Sequence, residues 1–128
     1  MRIYCSGPMT GVPDHNRPAF DAAAKRLREQ GHFVINPAEL SALFGTAEEV
    51  AEAFAEAYAN PLSNVKSYEE HCSRMSLAAS IMDADLAAVR SCDAIYFLRG
   101  WETSRGAKKE LAEAIAHGLT IMQEGDEK

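Results

Sequence analysis

No stretch of this 128-residue sequence approaches the ~20 consecutive apolar residues that cross a bilayer, so no membrane-spanning segment is expected. Nor is there a CxxC pair. Cys5, Cys72 and Cys92 stand far apart, which argues against a disulfide framework and against a zinc knuckle. His71 adjoins Cys72, but two neighbouring donors without further partners at ligand spacing make no metal site. Positive charge is short too: the net charge is -6, without the basic face that duplex nucleic acid requires, so partners of that kind are not expected. Neither the GxGxxG nor the Walker glycine pattern occurs. Met1-Arg2-Ile3-Tyr4 runs straight into a strand pattern rather than a secretory leader, and a cytoplasmic protein is the expectation.

What remains is a chain with 47% apolar and 25% charged residues, enough to fold around one core and too short for two, so residues 1–128 read as a single domain. Strand patterns at Arg2 to Cys5, His32 to Ile35, Asp93 to Leu98 and Leu119 to Met122 alternate with helical ones. The helices are expected over Pro18 to Gln30, Thr46 to Tyr58, about Ser73 to Arg90, and Ser104 to His117. Loops should fill Ser6 to Arg17, Asn36 to Leu43, Asn60 to Ser67 and Arg99 to Thr103, and the polar tail from Gln123 should fray. Such alternation predicts a three-layer α/β fold: a mostly parallel, flavodoxin- or Rossmann-like sheet of four to five strands with helices on both faces. In such sheets ligands bind beyond the carboxyl ends of the strands.

Two acids and one turn stand out on that edge. A helical wheel puts Asp85 in the apolar arc of Ala78, Ile81, Met82, Leu86 and Val89, while Asp83 points away. An inward acid must be paired, protonated or set at an opening; an acid that merely caps a loop or pairs with an arginine is the equal alternative. The segment from Gly100 to Glu110 joins a strand to a helix, with Ser104 as N-cap and the amides of Arg105 and Gly106 behind it, a ready anion site. Glu110 lies at the edge of the arc formed by Ala107, Leu111, Ala114 and Ile115. With Lys108, Lys109 and Glu113 around it, the helix pattern alone favours a solvated acid. Tyr4 can reach an acid in the cleft or simply pack, and Trp101 can stack on a base or fill a loop.

Taken in order, Tyr4-Cys5-Ser6-Gly7-Pro8-Met9, Asp85-Leu86 followed by Cys92-Asp93-Ala94-Ile95-Tyr96, and Ser104-Arg105-Gly106 leading to Glu110 resemble the nucleoside 2-deoxyribosyltransferase-like superfamily over nearly the whole chain. The chain looks most like its small branch related to 2'-deoxynucleoside 5'-monophosphate N-hydrolases. The resemblance implies cleavage or exchange of the N-glycosidic bond of a deoxynucleoside or its monophosphate. Glu110 would attack C1' of the sugar, Asp85 would assist the leaving base, and Tyr4 would orient Glu110. Ser104 and Gly106, with Arg105 beside them, would hold the 5' group; Ser6, Gly7, Pro8 and Met9 would border the sugar. The chemistry implied needs neither a metal nor an organic cofactor, and relatives assemble as homodimers or larger homo-oligomers. Leu111 stands where many relatives have glycine, and Pro8 and Thr10 stand where the monophosphate hydrolases carry serine and arginine; Arg17, Arg99 or Arg105 could take over that arginine's place. Against that pattern the stretch 44–72 reads as a helical insertion, a lid or a subunit contact. A nucleotide-sensing module without catalysis and a glycohydrolase of an NAD-type dinucleotide are the other readings of the same residues.

Overall fold

The computed structural model describes residues 1–9, 12–58 and 68–125. The described residues form one sheet of four parallel strands, β1 (Arg2–Ser6), β2 (Phe33–Ile35), β3 (Ala94–Phe97) and β4 (Thr120–Gln123), in the order β2-β1-β3-β4. The alternation of strands and helices in the sequence thus becomes the parallel α/β architecture it predicts.

Side chains alternate across β1 because a strand has a period of two. Ile3 and Cys5 face helix α1 (Arg17–Glu29), whose Phe20, Ala23, Ala24 and Leu27 close the core on that side. Tyr4 faces the opposite layer, with α4 (Tyr68–Arg90) and α5 (Arg105–Ala116), where Val89, Ile95, Phe97, Ala107 and Ala114 pack together. Both faces of the sheet are therefore covered, as fully parallel strands require.

The chain runs from β1 through α1 to β2 on one side, then crosses back to β3 on the other. That return passes through α2 (Pro37–Ser41), α3 (Ala47–Tyr58) and α4. The order reverses between β1 and β3, so the two crossovers part at their carboxyl ends and leave a crevice there.

Three local expectations are corrected. Asn36-Pro37 does not open a loop to Leu43 but starts α2: the Asn36 side chain accepts a hydrogen bond from the Ala38 amide at 2.9 Å, and proline suits the first helical turn. Helix α4 begins at Tyr68, a turn and more before Ser73. The tail is tied as far as Glu124, whose amide donates to the Phe97 carbonyl at 2.8 Å and whose carboxylate sits 3.7 Å from Arg26. Helix α3 starts where expected, because Thr46 and Glu49 form a reciprocal capping box, side chain to amide in both directions at 3.2 and 3.1 Å. The loop expected over Asn60 to Ser67, the side chains of His71 and Cys72, and the last three residues lie outside the described residues, as do Thr10 and Gly11. Cys5 and Cys92 are buried free thiols, and no described helix is long and apolar enough to cross a membrane.

Candidate active site

A cavity of about 290 Å³ opens where β1 and β3 end, near the small end of the ~300–1,000 Å³ typical of small-molecule pockets. Its polar floor is made by two carboxyls. Asp85 reaches it from α4, on the buried stripe that also carries Ala78, Ile81 and Val89; Asp83, two residues earlier, is exposed, so the helical wheel separated the pair correctly.

Glu110 comes from α5, and its surroundings differ from the sequence expectation. The buried stripe of that helix is Ala107, Glu110 and Ala114, spaced at three and four residues, so Glu110 stands at its centre. Ile115, expected in the apolar arc, is 64% exposed. Nor does the acid pair with its lysine neighbours, which are exposed; Glu113 is the one that forms an ion pair, with Arg90 on α4 at 2.8 Å.

Both oxygens of Glu110 are held. The Tyr4 hydroxyl donates to Oε2 and the Ser6 hydroxyl to Oε1, each at 2.6 Å. Tyr4 and Ser6 are two residues apart on β1, so the pleat aims both at α5. Each is fully buried, and neither lines the cavity. Ser6, expected to border the sugar, lies behind Glu110 with its hydroxyl on that carboxyl.

Burial pushes the Glu110 carboxyl up to about 7, and the Ser6 and Tyr4 hydrogen bonds pull against that rise because they favour the anion. Asp85 is pushed to about 8, first by burial and then by the charge of Glu110, with the Tyr4 hydroxyl opposing. Its Oδ1 has no hydrogen-bond partner. Two hydroxyl donors favour the ionised form of Glu110, while burial and the charge of Glu110 oppose ionisation of Asp85. Burial first, and the neighbouring acids next, raise the Tyr4 phenol well above its ordinary value, so it remains a donor.

The N-terminus of α5 forms another side of the cavity through Ser104, Arg105 and Gly106. The Ser104 side chain accepts from the Ala107 amide at 3.1 Å, fixing the first turn and directing the positive end of the helix dipole into the opening. Among the three arginines weighed from the sequence, Arg105 lines this cavity; Arg17 borders a smaller neighbouring hollow and lies 3.9 Å from Asp21, and Arg99 lies 3.8 Å from Glu124.

The first loop contributes Gly7, Pro8 and Met9. A Cβ on Gly7 would stand 2.8 Å from the Leu98 Cβ, so packing between the ends of β1 and β3 by itself demands glycine here. Trp101 is not among the cavity walls; its ring packs on Phe97 at a centroid distance of 4.6 Å and an angle of 37°. Sequence reasoning missed the rest of the wall: Phe20, Ser41, Val50, Phe54, Ile81 and Met82 all face the cavity. Apart from Ser41, on the unexpected α2, their apolar periodicity was readable, but periodicity does not distinguish a core from a pocket. Among the described residues, no three His, Cys, Asp or Glu side chains are grouped to hold a metal.

A doubly wound parallel sheet with two buried carboxyls at the point where its strand order reverses defines an α/β protein of the flavodoxin-like kind. The chain belongs to the family described as a domain of unknown function, DUF4406, matched over residues 1–123. Its structure is similar to that of a 2-deoxyribosyltransferase from Bacillus psychrosaccharolyticus, with a TM-score of 0.58 and 20% identity over 96% of this chain and 71% of that one. The fold is therefore nucleoside 2-deoxyribosyltransferase-like. No curated protein matches the sequence.

Proposed function

We propose that the protein cleaves or exchanges the N-glycosidic bond of a deoxynucleoside or its 5'-monophosphate, with Glu110 as nucleophile. The observation that carries this reading is the unequal pair of buried carboxyls on one cavity floor: Glu110 clasped by two hydroxyls, Asp85 with an oxygen lacking any partner. Two neighbouring buried acids whose hydrogen-bond donors differ supply a nucleophile and an acid side by side. The likeness to an enzyme named as a 2-deoxyribosyltransferase supports the same reading.

In the first step a Glu110 carboxylate oxygen bonds to C1' while the bond from C1' to the base nitrogen breaks. The bonding pair leaves with the base, and the Asp85 proton goes to the base. Negative charge near C1' stabilises the oxocarbenium-like transition state, and splitting the displacement in two lowers each barrier. In the second step water, or a second base, bonds to C1' and gives its proton to the Asp85 carboxylate, and Glu110 departs as the free anion. The N-terminus of α5, with Ser104 and Arg105, receives the 5' hydroxyl or phosphate.

Chromatography of deoxynucleosides, nucleosides and their 5'-monophosphates incubated with the protein, with and without a second free base, tests this. Base release by wild type and a loss of at least about 10³-fold in Glu110→Ala are expected; a swapped base makes the protein a transferase. Undiminished release by Glu110→Ala would overturn the assignment.

A further inference from the structure

The pleat of β1 brings two hydroxyl hydrogens to Glu110, and the two are not equivalent. Ser6 donates to Oε1 at 2.6 Å and, among the described residues, has that carboxyl as its one acceptor. Tyr4 donates to Oε2 at 2.6 Å, yet its hydroxyl also meets the Asp85 carboxyl and favours the charged form of that acid. A phenol has a single hydrogen to give, so it serves one carboxylate fully at a time. Both hydroxyls belong to fully buried residues outside the cavity wall. Asp85 meanwhile keeps Oδ1 without any partner.

Given the glycosidic reading above, the first step moves the charge from one acid to the other. Glu110 becomes a neutral ester as C1' bonds to it, and Asp85 becomes an anion as its proton leaves with the base. The alkylated oxygen of an ester is a poor acceptor, whereas its carbonyl oxygen remains a good one. The oxygen that attacks therefore gives up its donor, and a buried donor left without an acceptor costs free energy. Ser6 has no second acceptor; Tyr4 has Asp85, at that moment a buried anion with an unpartnered oxygen. We infer that Oε2 is the attacking oxygen and that the Tyr4 hydroxyl is a switching donor, held on Glu110 while that carboxylate is free and turned to Asp85 once the sugar neutralises it, with Ser6 remaining on Oε1, the ester carbonyl. No covalent bond of Tyr4 breaks. Its hydrogen changes acceptor, and it returns when the second step frees Glu110 and reprotonates Asp85. Tyr4 is thereby a positioning residue for both acids in turn.

Glu110→Gln imitates the esterified state, since the amide is neutral and keeps one carbonyl oxygen. Carbon-13 NMR of protein labelled at the aspartate carboxyls, with the Asp85 signal assigned through Asp85→Asn, follows the titration of that acid in wild type, Tyr4→Phe, Glu110→Gln and the double variant. In the Glu110→Gln background Tyr4→Phe should raise the Asp85 titration by about one to two pH units, the effect of losing a hydrogen bond to a charged group. In the wild-type background the rise should be clearly smaller, because the charged Glu110 retains the hydroxyl. Ser6→Ala, added to Glu110→Gln, should leave the Asp85 titration in place. Equal rises in both backgrounds, or none in either, would overturn the switch. Base release by wild type, read in parallel on deoxynucleosides and their 5'-monophosphates, separates the two claims. Unequal rises with no base released from any substrate uphold the switch and sink the glycosidic reaction, and base release with equal rises does the reverse.

Discussion

Tyr4 and Ser6, both fully buried, each hold one oxygen of Glu110, so each hydrogen bond stabilises the ionised form directly. Removing one donor must raise the carboxyl further. A hydrogen bond to a charged group contributes about 1.5–3 kcal/mol, which corresponds to about one to two pH units. Ser6→Ala should therefore move the acid limb of the kcat/KM profile upward by about that much and leave the alkaline limb, set by the Asp85 proton, nearly in place, whereas Tyr4→Phe should raise both limbs, because the Tyr4 hydroxyl also holds the Asp85 carboxyl down. A uniform drop in rate with unmoved limbs would mean that the hydroxyls do something other than hold the nucleophile. These residues were unequally legible in the sequence. Asp85 could be placed by a helical wheel, since the apolar residues around it fix the inward face. Glu110 could not, because its partners are 106 and 104 residues away on β1, and a helix pattern reports only neighbours three and four positions along. Only the ordered resemblance of three short motifs raised it above a solvated surface acid.

At the scale of elements, the site depends on how closely the ends of β1 and β3 approach. Gly7 sits against Leu98, and an added Cβ would meet that side chain at 2.8 Å. Gly7→Ala should cost about 1–3 kcal/mol by overpacking. In a Leu98→Ala background it should cost much less, a coupling that urea unfolding of the four-member cycle would reveal. Equal costs in both backgrounds would place the strain elsewhere. The strand and helix patterns along the sequence already marked β1, β3, α1 and α5 to within a residue or two, because each has a strong period and, for the helices, a clear start signal in Pro18 and Ser104. Helix α2 was hidden, since Asn-Pro is read as a break although the same pair is a cap and a first turn when apolar contacts follow. The apolar face of α3 was visible, but not that it walls a cavity, because what it faces is settled by α4 and not by its own residues.

For the whole molecule, alternation of elements announced a parallel sheet, whereas the order β2-β1-β3-β4 that creates the crevice required the three-dimensional structure. Filling that crevice with two acids sets the stability of the entire chain against its chemistry. Asp85 and Glu110 both have folded-state values raised above the ordinary carboxylate range, to about 8 and about 7, with burial the first cause. The folded protein therefore keeps protons that the unfolded chain releases from about pH 4 upward. Stability from this source is fully present below that pH and falls as pH rises through 7 and 8. Glu113, held down by Arg90, works the other way and matters only in acid. Asp85→Asn keeps the shape and removes the charge, so it should stabilise the protein at pH 9 by on the order of 2 kcal/mol and show little gain at pH 5. Urea unfolding at the two pH values measures the difference, and the same gain at both would show that the ionised carboxyl is not its cause. The variant should also lose turnover, because an amide has no proton to give the leaving base; stability recovered at the expense of activity is what a site built from unequal buried acids must show.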